Sequence, residues 1–257
     1  MKHFIITGTS RGIGKAIVEQ LASPHHFIHC ISRERNTELK NNSSNIMHYP
    51  FDLNETERIE VVMDRIFSSI GTSNVEGVYL INNASMIAPV AFIDTVAIND
   101  ITGNLTVNLL APIIMTSLFI KHTNKLATEK RIINISSSSA KHHHPGMSLY
   151  SAAKAGLDVF SQCVGLEQSS SSAPVKIVSI WPGMVDTALQ REARSKDATV
   201  FPSAELFGML KDGGVLSTPE ETAVQIIDFL FKEDLEHGSI VDIFDYSRLN
   251  NLASPSS

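Results

Sequence analysis

The sequence predicts an α/β fold: a doubly wound parallel sheet flanked by helices on both faces. Three observations carry this. Short apolar runs alternate with stretches of helical periodicity from one end of the 257-residue chain to the other. The first such run leads through a glycine-rich turn directly into a helix, the beginning of a β-α unit. No repeat, linker or shift in composition divides the chain, so a single domain over 1–257 is expected.

Composition narrows the partners. The net charge is −6, with charged residues well mixed, which speaks against nucleic acid or an anionic membrane. Cys30 and Cys163 stand in apolar surroundings without metal-ligand spacing and read as reduced, buried thiols in a cytoplasmic protein. The opening apolar run is cut off by Thr7 and Gly8, too soon for a signal h-region or a membrane span.

Phe4 to Thr7 reads as a buried strand, and Ile13 to Leu21 as a helix with Ile17, Val18 and Leu21 on one face. Between them Gly8, Ser10, Arg11, Gly12, Ile13 and Gly14 form a turn in which small residues let the backbone approach a pyrophosphate at a helix N-terminus. The spacing is GxxxGxG rather than GxGxxG, and a glycine-rich turn without a ligand is the competing reading. Phe27 to Ile31 is a second strand, ending in Ser32-Arg33-Glu34-Arg35. Arginine at that strand end pairs with the 2′-phosphate of NADP(H), whereas an acidic residue accepts from the 2′-hydroxyl of NAD. Arg33, with Arg11, points to NADP(H); Glu34 keeps NADH open, and the arginines as solvated loop charges are the plainer reading.

A polar loop over 36–45 precedes a third strand, Ile46 to Tyr49, which runs into Phe51-Asp52-Leu53. Asp52 either accepts from an adenine amino group, with Leu53 beside it, or helps start the helix that Ile59, Val62, Ile66 and Ile70 predict over 55–70. Gly77 to Ile81 is a fourth strand closed by Asn82-Asn83-Ala84-Ser85: the asparagines fix neighbouring loops and Ala84 admits a ribose, or the stretch is an Asx turn. A long apolar helix follows over 99–121. Asn108 lies inside it and is satisfied either structurally or by a functional water.

The chemistry concentrates between Ile132 and Lys154. Arg131 to Ile135 is a fifth strand ending in four serines, and Leu149 to Glu167 is a helix on which Tyr150 and Lys154 share a face. A cation beside the phenol would lower its pKa from ~10 and make it a better general acid. Ser137 would then hold a substrate oxygen beside that acid. His142, His143 and His144 lie between; adjacent histidines cannot all point one way, and without a carboxylate or cysteine they read as a loop and not a metal site. Val175 to Ile180 is a sixth strand, Pro219 to Phe231 a last helix and Ser239 to Phe244 a last strand. The mixed segment at 186–217 suits a lid over a crevice.

Thr7-Gly8-x-x-x-Gly12-Ile13-Gly14, Asn82-Asn83-Ala84, Asn108, Ser137, Tyr150-x-x-x-Lys154 and Pro182-Gly183 with Thr187 occur in the order found in the short-chain dehydrogenase/reductase family, which the chain resembles over its whole length. Within the family it is similar to the sepiapterin reductase-like subgroup. The resemblance implies a Rossmann fold and hydride transfer from NADP(H) to a ketone or aldehyde carbon, with Tyr150 as general acid. Ser137 would stabilise the carbonyl oxygen, Lys154 would acidify Tyr150 and bind ribose, and Asn108 would hold a water in the reprotonation route. The interval to Tyr150 selects Ser137 among the four serines. Pro182, Gly183, Val185 and Thr187 would border the cofactor. Ser85 stands where the family usually has glycine and would, with Met184 and Asp242, face the substrate; an ordinary strand-end carboxylate is the other reading of Asp242. The implied substrate is a small-molecule carbonyl compound, a 1,2-diketone or a pterin side chain, and the implied assembly a homodimer or homotetramer. A nucleotide-sensing regulator that catalyses nothing would lack Tyr150 and Lys154.

Overall fold

A computed structural model describes residues 1–35, 45–71 and 74–253. The loop expected over 36–45 falls outside them except for Asn45. The strands are β1 (Lys2–Thr7), β2 (His26–Ser32), β3 (Ile46–Pro50), β4 (Gly77–Asn82), β5 (Glu129–Ile135), β6 (Lys176–Trp181) and β7 (Ile240–Asp242). They form one parallel sheet in the order β3-β2-β1-β4-β5-β6-β7. The chain starts in the middle and winds outward in both directions, so the order reverses between β1 and β4. In a doubly wound sheet that reversal opens a crevice at the carboxyl ends of the strands.

The helices are α1 (Gly12–Leu21), α2 (Ile59–Ser69), α3 (Ile98–Leu105), α4 (Ala111–Thr123), α5 (Ser148–Ser169), α6 (Ala188–Arg194), α7 (Ala204–Asp212) and α8 (Pro219–Phe231). Successive strand side chains point to opposite faces, and the pattern sorts them into two cores. Ile5, Leu80, Ile132 and Ile177 meet Met63 and Ile66 of α2 and Met115 and Phe119 of α4. Phe4, Ile6, Tyr79, Ile81, Ile133 and Val178 meet Ile17, Val18 and Leu21 of α1 and Ala223, Ile226 and Leu230 of α8. Helix α8 is started by a reciprocal cap between Thr218 and Glu221, with Pro219 in its first turn.

The sequence predicts one helix over 99–121, whereas α3 and α4 are joined by a π-helical turn, Thr106–Leu110. Asn104 and Asn108 lie on either side of its start, both fully buried, and both donate to backbone carbonyls of the loop after β4. The composite helix Ile98–Thr123 is long and apolar enough by composition to cross a membrane; here its Met115 and Phe119 pack against α2 and the sheet. The last strand is shorter than predicted because Asp242 turns its carboxylate onto the Phe244 amide, which ends the ladder.

Two histidines sit within the sheet. His3 Nδ1 lies 3.4 Å from His29 Nε2, and His29 Nδ1 lies 3.3 Å from the Tyr49 hydroxyl. Burial drives the His29 pKa down to about 3, helped by His3, and the His3 pKa down to about 4, helped by the amino terminus. Both are therefore neutral when folded, whereas the unfolded chain takes up protons below about pH 6.5. Their contribution to stability is complete above that pH and is lost as pH falls toward 4, at about 1.4 kcal/mol per pH unit for each. Urea midpoints at pH 7.5 and pH 5 should fall steeply for the parent and much less for a variant with both histidines replaced by phenylalanine; equal falls would refute this.

Candidate active site

The site starts where β1 and β4 end. Parallel strands leave their terminal backbone groups without ladder partners, and these must be satisfied elsewhere. Thr7 Oγ1 accepts from the amides of Asn83 (3.0 Å) and Ala84 (2.9 Å), while Asn83 Nδ2 donates to the carbonyls of Thr7 (2.9 Å) and Gly8 (3.2 Å). The expected loop-fixing asparagine is Asn83. Asn82 points inward, donating to Asn134 Oδ1 at 2.8 Å. The tight join explains two glycines. Gly8 has φ +72 and its absent Cβ would lie 2.8 Å from Ala84 Cα; a Cβ on Gly14 would lie 2.3 Å from the Gly8 carbonyl oxygen. Gly14 is thus buried beneath the turn, and Gly8, Ser10, Arg11, Gly12 and Ile13 face the crevice.

The crevice encloses about 450 Å³. At one end Ser32, Arg33, Asp52 and Leu53 line it, with Arg11 and Arg33 exposed. Ser32 is fixed by Thr9 Oγ1 at 3.2 Å, the Glu34 carbonyl at 2.7 Å and His48 Nε2 at 3.0 Å. Asp52 faces the crevice and accepts from the backbone and side-chain nitrogens of Asn54, whereas the helical turn that follows, Thr56–Arg58, has Glu55 at its start and no side-chain cap. In the middle lie Asn83, Ala84, Pro182, Gly183, Val185 and Thr187. Thr187 also accepts from the Gln190 amide to cap α6.

At the other end stand Ser85, Ser137, Tyr150 and Lys154. The hydroxyls of Ser137 and Ser85 stand near enough to the Tyr150 hydroxyl to act on its ionisation. Among the four serines, Ser136 is buried and donates to the Lys154 carbonyl, while Ser137 accepts from the Ser139 amide and faces Tyr150. Tyr150 and Lys154 share a face of α5 as predicted, but the electrostatics differ from expectation. Burial pushes the Tyr150 phenol up, and the hydroxyls of Ser137 and Ser85 are what pull it down. Lys154 Nζ donates to the Ile135 carbonyl at 2.8 Å and lies 5.6 Å from the phenol ring centre. Burial lowers the Lys154 pKa to about 8, against the opposing charge of Asp158 one turn further on.

Asn108 does not line the crevice. Its Oδ1 accepts from Ser85 Oγ (2.7 Å) and the Met86 amide (3.1 Å), and its Nδ2 donates to the Met86 carbonyl (2.7 Å) and Asn104 Oδ1 (3.1 Å). That amide is saturated by protein groups. Asp242 also lies away from the crevice, accepting from the Phe244 amide (3.0 Å) and the Tyr246 hydroxyl (2.6 Å). Met184 and Ser85 do face it.

Sequence reasoning missed the apolar wall: Ile87, Met147, Leu189 and Phe207 line the crevice beside Tyr150. The segment over 186–217 contains two helices, α6 and α7, joined through Asp186, whose carboxylate pairs with Lys211 at 2.6 Å and Arg194 at 3.4 Å. His144 belongs to this packing: its Nδ1 lies 2.9 Å from Ser203 Oγ and its ring meets Phe201 and Phe207 edge-on, while His142 and His143 are exposed. Among the described residues, no cluster of three histidine, cysteine or acidic side chains is placed to hold a metal.

Residues 2–198 match the short chain dehydrogenase family. The chain belongs to that family. It is 38% identical to benzil reductase ((S)-benzoin forming) of Bacillus cereus over 95% of this chain and 99% of the relative, and 33% identical to that of Bacillus subtilis strain 168 over 96% and 100%. Bovine sepiapterin reductase is 26% identical over 94% of both chains. Among solved structures, the KRED1-Pglu enzyme aligns with a TM-score of 0.81 at 23% identity, covering 94% of this chain and 100% of the other. ElxO with NADP bound aligns with a TM-score of 0.76 at 22% identity, covering 97% and 99%. The enzyme is therefore an oxidoreductase acting on carbonyl or hydroxyl groups with a nicotinamide cofactor, on a Rossmann fold.

Gly14→Ala tests the join directly. The added methyl group must displace the Gly8 carbonyl or the Asn83 amide, so stability should fall by about 1–3 kcal/mol as for other overpacked sites, and cofactor affinity should drop with it. Calorimetry with and without NADPH measures both; a variant of unchanged stability and affinity would show that the contact is not needed.

Proposed function

We propose that the enzyme is an NADPH-dependent carbonyl reductase that takes a 1,2-diketone such as benzil as substrate. The observation that carries this is one crevice holding a fitted nucleotide cradle at one end and the Ser137–Tyr150 pair against an apolar wall at the other. The residues present fit a nicotinamide dinucleotide: adding Cβ atoms to Gly8 and Gly14 would close the turn, and Arg11 and Arg33 mark the end where a 2′-phosphate would sit. When bound, the cofactor supplies the hydride that goes to the carbonyl carbon.

The chain's own residues do the rest. Ser137, whose oxygen is already held by the Ser139 amide, keeps its proton free to donate to the carbonyl oxygen as negative charge develops there. Tyr150 gives its proton to that oxygen, leaving an alcohol and a phenolate. Lys154 is held in the crevice by the Ile135 carbonyl and contributes positive charge and donors for ribose hydroxyls. Asn108 acts from outside the crevice by fixing the Ser85–Met86 backbone, so that its side chain does not carry the reprotonating water. Residues 186–217 serve as a substrate lid, with Leu189 and Phe207 presenting apolar surface to the aryl groups of a diketone. The whole chain acts as one catalytic unit in a cytoplasmic setting, to which the free thiols are suited: Cys30 is buried as expected, whereas Cys163 is exposed on α5. Val159 and Leu166, exposed on α5, support assembly as a homodimer or homotetramer.

Likeness to sepiapterin reductase favours a second substrate, a pterin side chain, but Asp242 is occupied by Phe244 and Tyr246 and offers no anchor in the crevice.

Tyr150→Phe should lower turnover about 10²- to 10⁴-fold while leaving NADPH binding within about twofold of the parent; near-normal rates on diketones, simple ketones and sepiapterin would sink the assignment. Arg33→Asp should weaken NADPH binding at least about tenfold, the size of one lost charge-assisted contact, with little change for NADH. An unaltered preference would mean that Arg33 does not read the 2′-phosphate.

A further inference from the structure

We propose that His48 is a positioning residue for the 2′-phosphate of the cofactor: through Ser32 it fixes the turn that presents Arg33, and so sets the preference for NADPH over NADH. The inference rests on the reading of Arg33 as the phosphate's partner and extends it to a side chain outside the crevice lining.

The geometry begins with one serine proton. A hydroxyl has a single proton to give and two lone pairs to accept with. A carbonyl can only accept, so Ser32 Oγ, 2.7 Å from the Glu34 carbonyl, gives its proton there. The other two neighbours of that oxygen must therefore donate to it: Thr9 Oγ1 at 3.2 Å and His48 Nε2 at 3.0 Å. Burial, helped by Arg35, lowers the His48 pKa, so the ring is neutral near pH 7 and its one N–H is on Nε2. Register explains the reach. His48 of β3 lies beside Cys30 of β2, and Ser32 is two residues further along β2 on the same face. The glycine turn is tied in by Thr9 and by Gly8, whose amide donates to the Ile31 carbonyl at 2.8 Å. Ser32, buried at the end of β2, is thus the node where the glycine turn, β2 and β3 meet.

The bond from Ser32 to the Glu34 carbonyl closes a turn around Arg33. Arg33 and Glu34 both line the crevice, and they suit different cofactors. The guanidinium pairs with a 2′-phosphate, whereas a carboxylate accepts from a 2′-hydroxyl and repels the phosphate. The conformation of the turn decides which of the two meets the ribose. With His48 donating, Ser32 Oγ is held on three sides and its proton stays on the Glu34 carbonyl. Without that donor the oxygen keeps only Thr9 as a source of protons, and the turn is free to exchange Arg33 for Glu34. His48 therefore acts on discrimination between the two cofactors and not on the binding of the dinucleotide as such.

The test measures dissociation constants of NADPH and NADH by nicotinamide fluorescence, with the full chain at pH 7.5. In His48→Phe, which keeps a ring but loses the donor, the NADPH constant should rise about three- to tenfold, as expected for one lost neutral hydrogen bond. The NADH constant should stay within about twofold of the parent or fall, which a general loosening of the fold would not produce. His48→Gln, whose side-chain amide offers an N–H in place of Nε2, should bring the NADPH constant back to within about twofold of the parent. His48→Leu also lacks the donor and replaces the phenylalanine variant if that one does not fold. An unmoved NADPH constant, equal weakening of both cofactors, or a glutamine variant that behaves like phenylalanine overturns the proposal. If Arg33→Asp leaves the preference for NADPH unaltered, the phosphate reading fails instead, and the two failures are distinct.

Discussion

The site depends on the reversal of strand order between β1 and β4. Because every connection in this parallel sheet leaves on one side or the other, the two central strands end with diverging loops and unmatched backbone groups. Thr7 and Asn83 close that gap with four hydrogen bonds, and the closure brings the glycine turn against Ala84 so tightly that side chains are excluded at Gly8 and Gly14. The cradle is thus a by-product of satisfying the strand ends. The same loop, continuing past Ala84, carries Ser85 and Met86 to the buried asparagines of the π-helical turn, so one stretch of backbone links cradle, acid and helix.

Burial sets the proton chemistry. Tyr150 and Lys154 are both almost wholly removed from solvent, and burial favours the neutral form of each: it raises the phenol and lowers the ammonium. A helix that merely set the two side chains on one face would therefore make a poor acid. The hydroxyls of Ser137 and Ser85 pull the phenol back down, and the Asp158 charge pulls the lysine back up. Asp158 is itself anchored by Ser179 and by the Trp181 indole at 2.9 Å, so β6 holds the far end of the line that β5 and β4 begin.

Most of the fold was legible because its strands are buried on both faces, and runs such as Phe4-Ile5-Ile6 and Ile132-Ile133 leave no other reading. Tyr150 and Lys154 were legible as a pair because four residues along a helix set them on one face, while Ser137 was singled out among four serines only by the resemblance to the family. What was illegible depends on contacts distant in sequence. Nothing near Asn108 announces a π-helical turn, whose polar partners are the loop over 86–88. The helices α6 and α7 read as a mixed segment because their order comes from Phe201, Phe207 and His144 packing together and from Asp186 pairing with Lys211. Spacing alone could not tell where the Lys154 ammonium points: it sets the helix face, while the Ile135 carbonyl holds the ammonium 5.6 Å from the Tyr150 ring centre.

The departure at Ser85 changes how the neighbouring asparagines are read. With glycine there, Asn108 Oδ1 would keep only the Met86 amide, and the asparagine pair would be a brace for a loop. With serine, the same brace also takes up a side chain of the crevice wall, because Asn108 Oδ1 accepts from the Ser85 hydroxyl. A network buried behind the crevice thus reaches its lining through one hydroxyl. The sequence shows the substitution plainly, but its consequence appears only where Asn104 locks Asn108 and Asn108 locks Ser85.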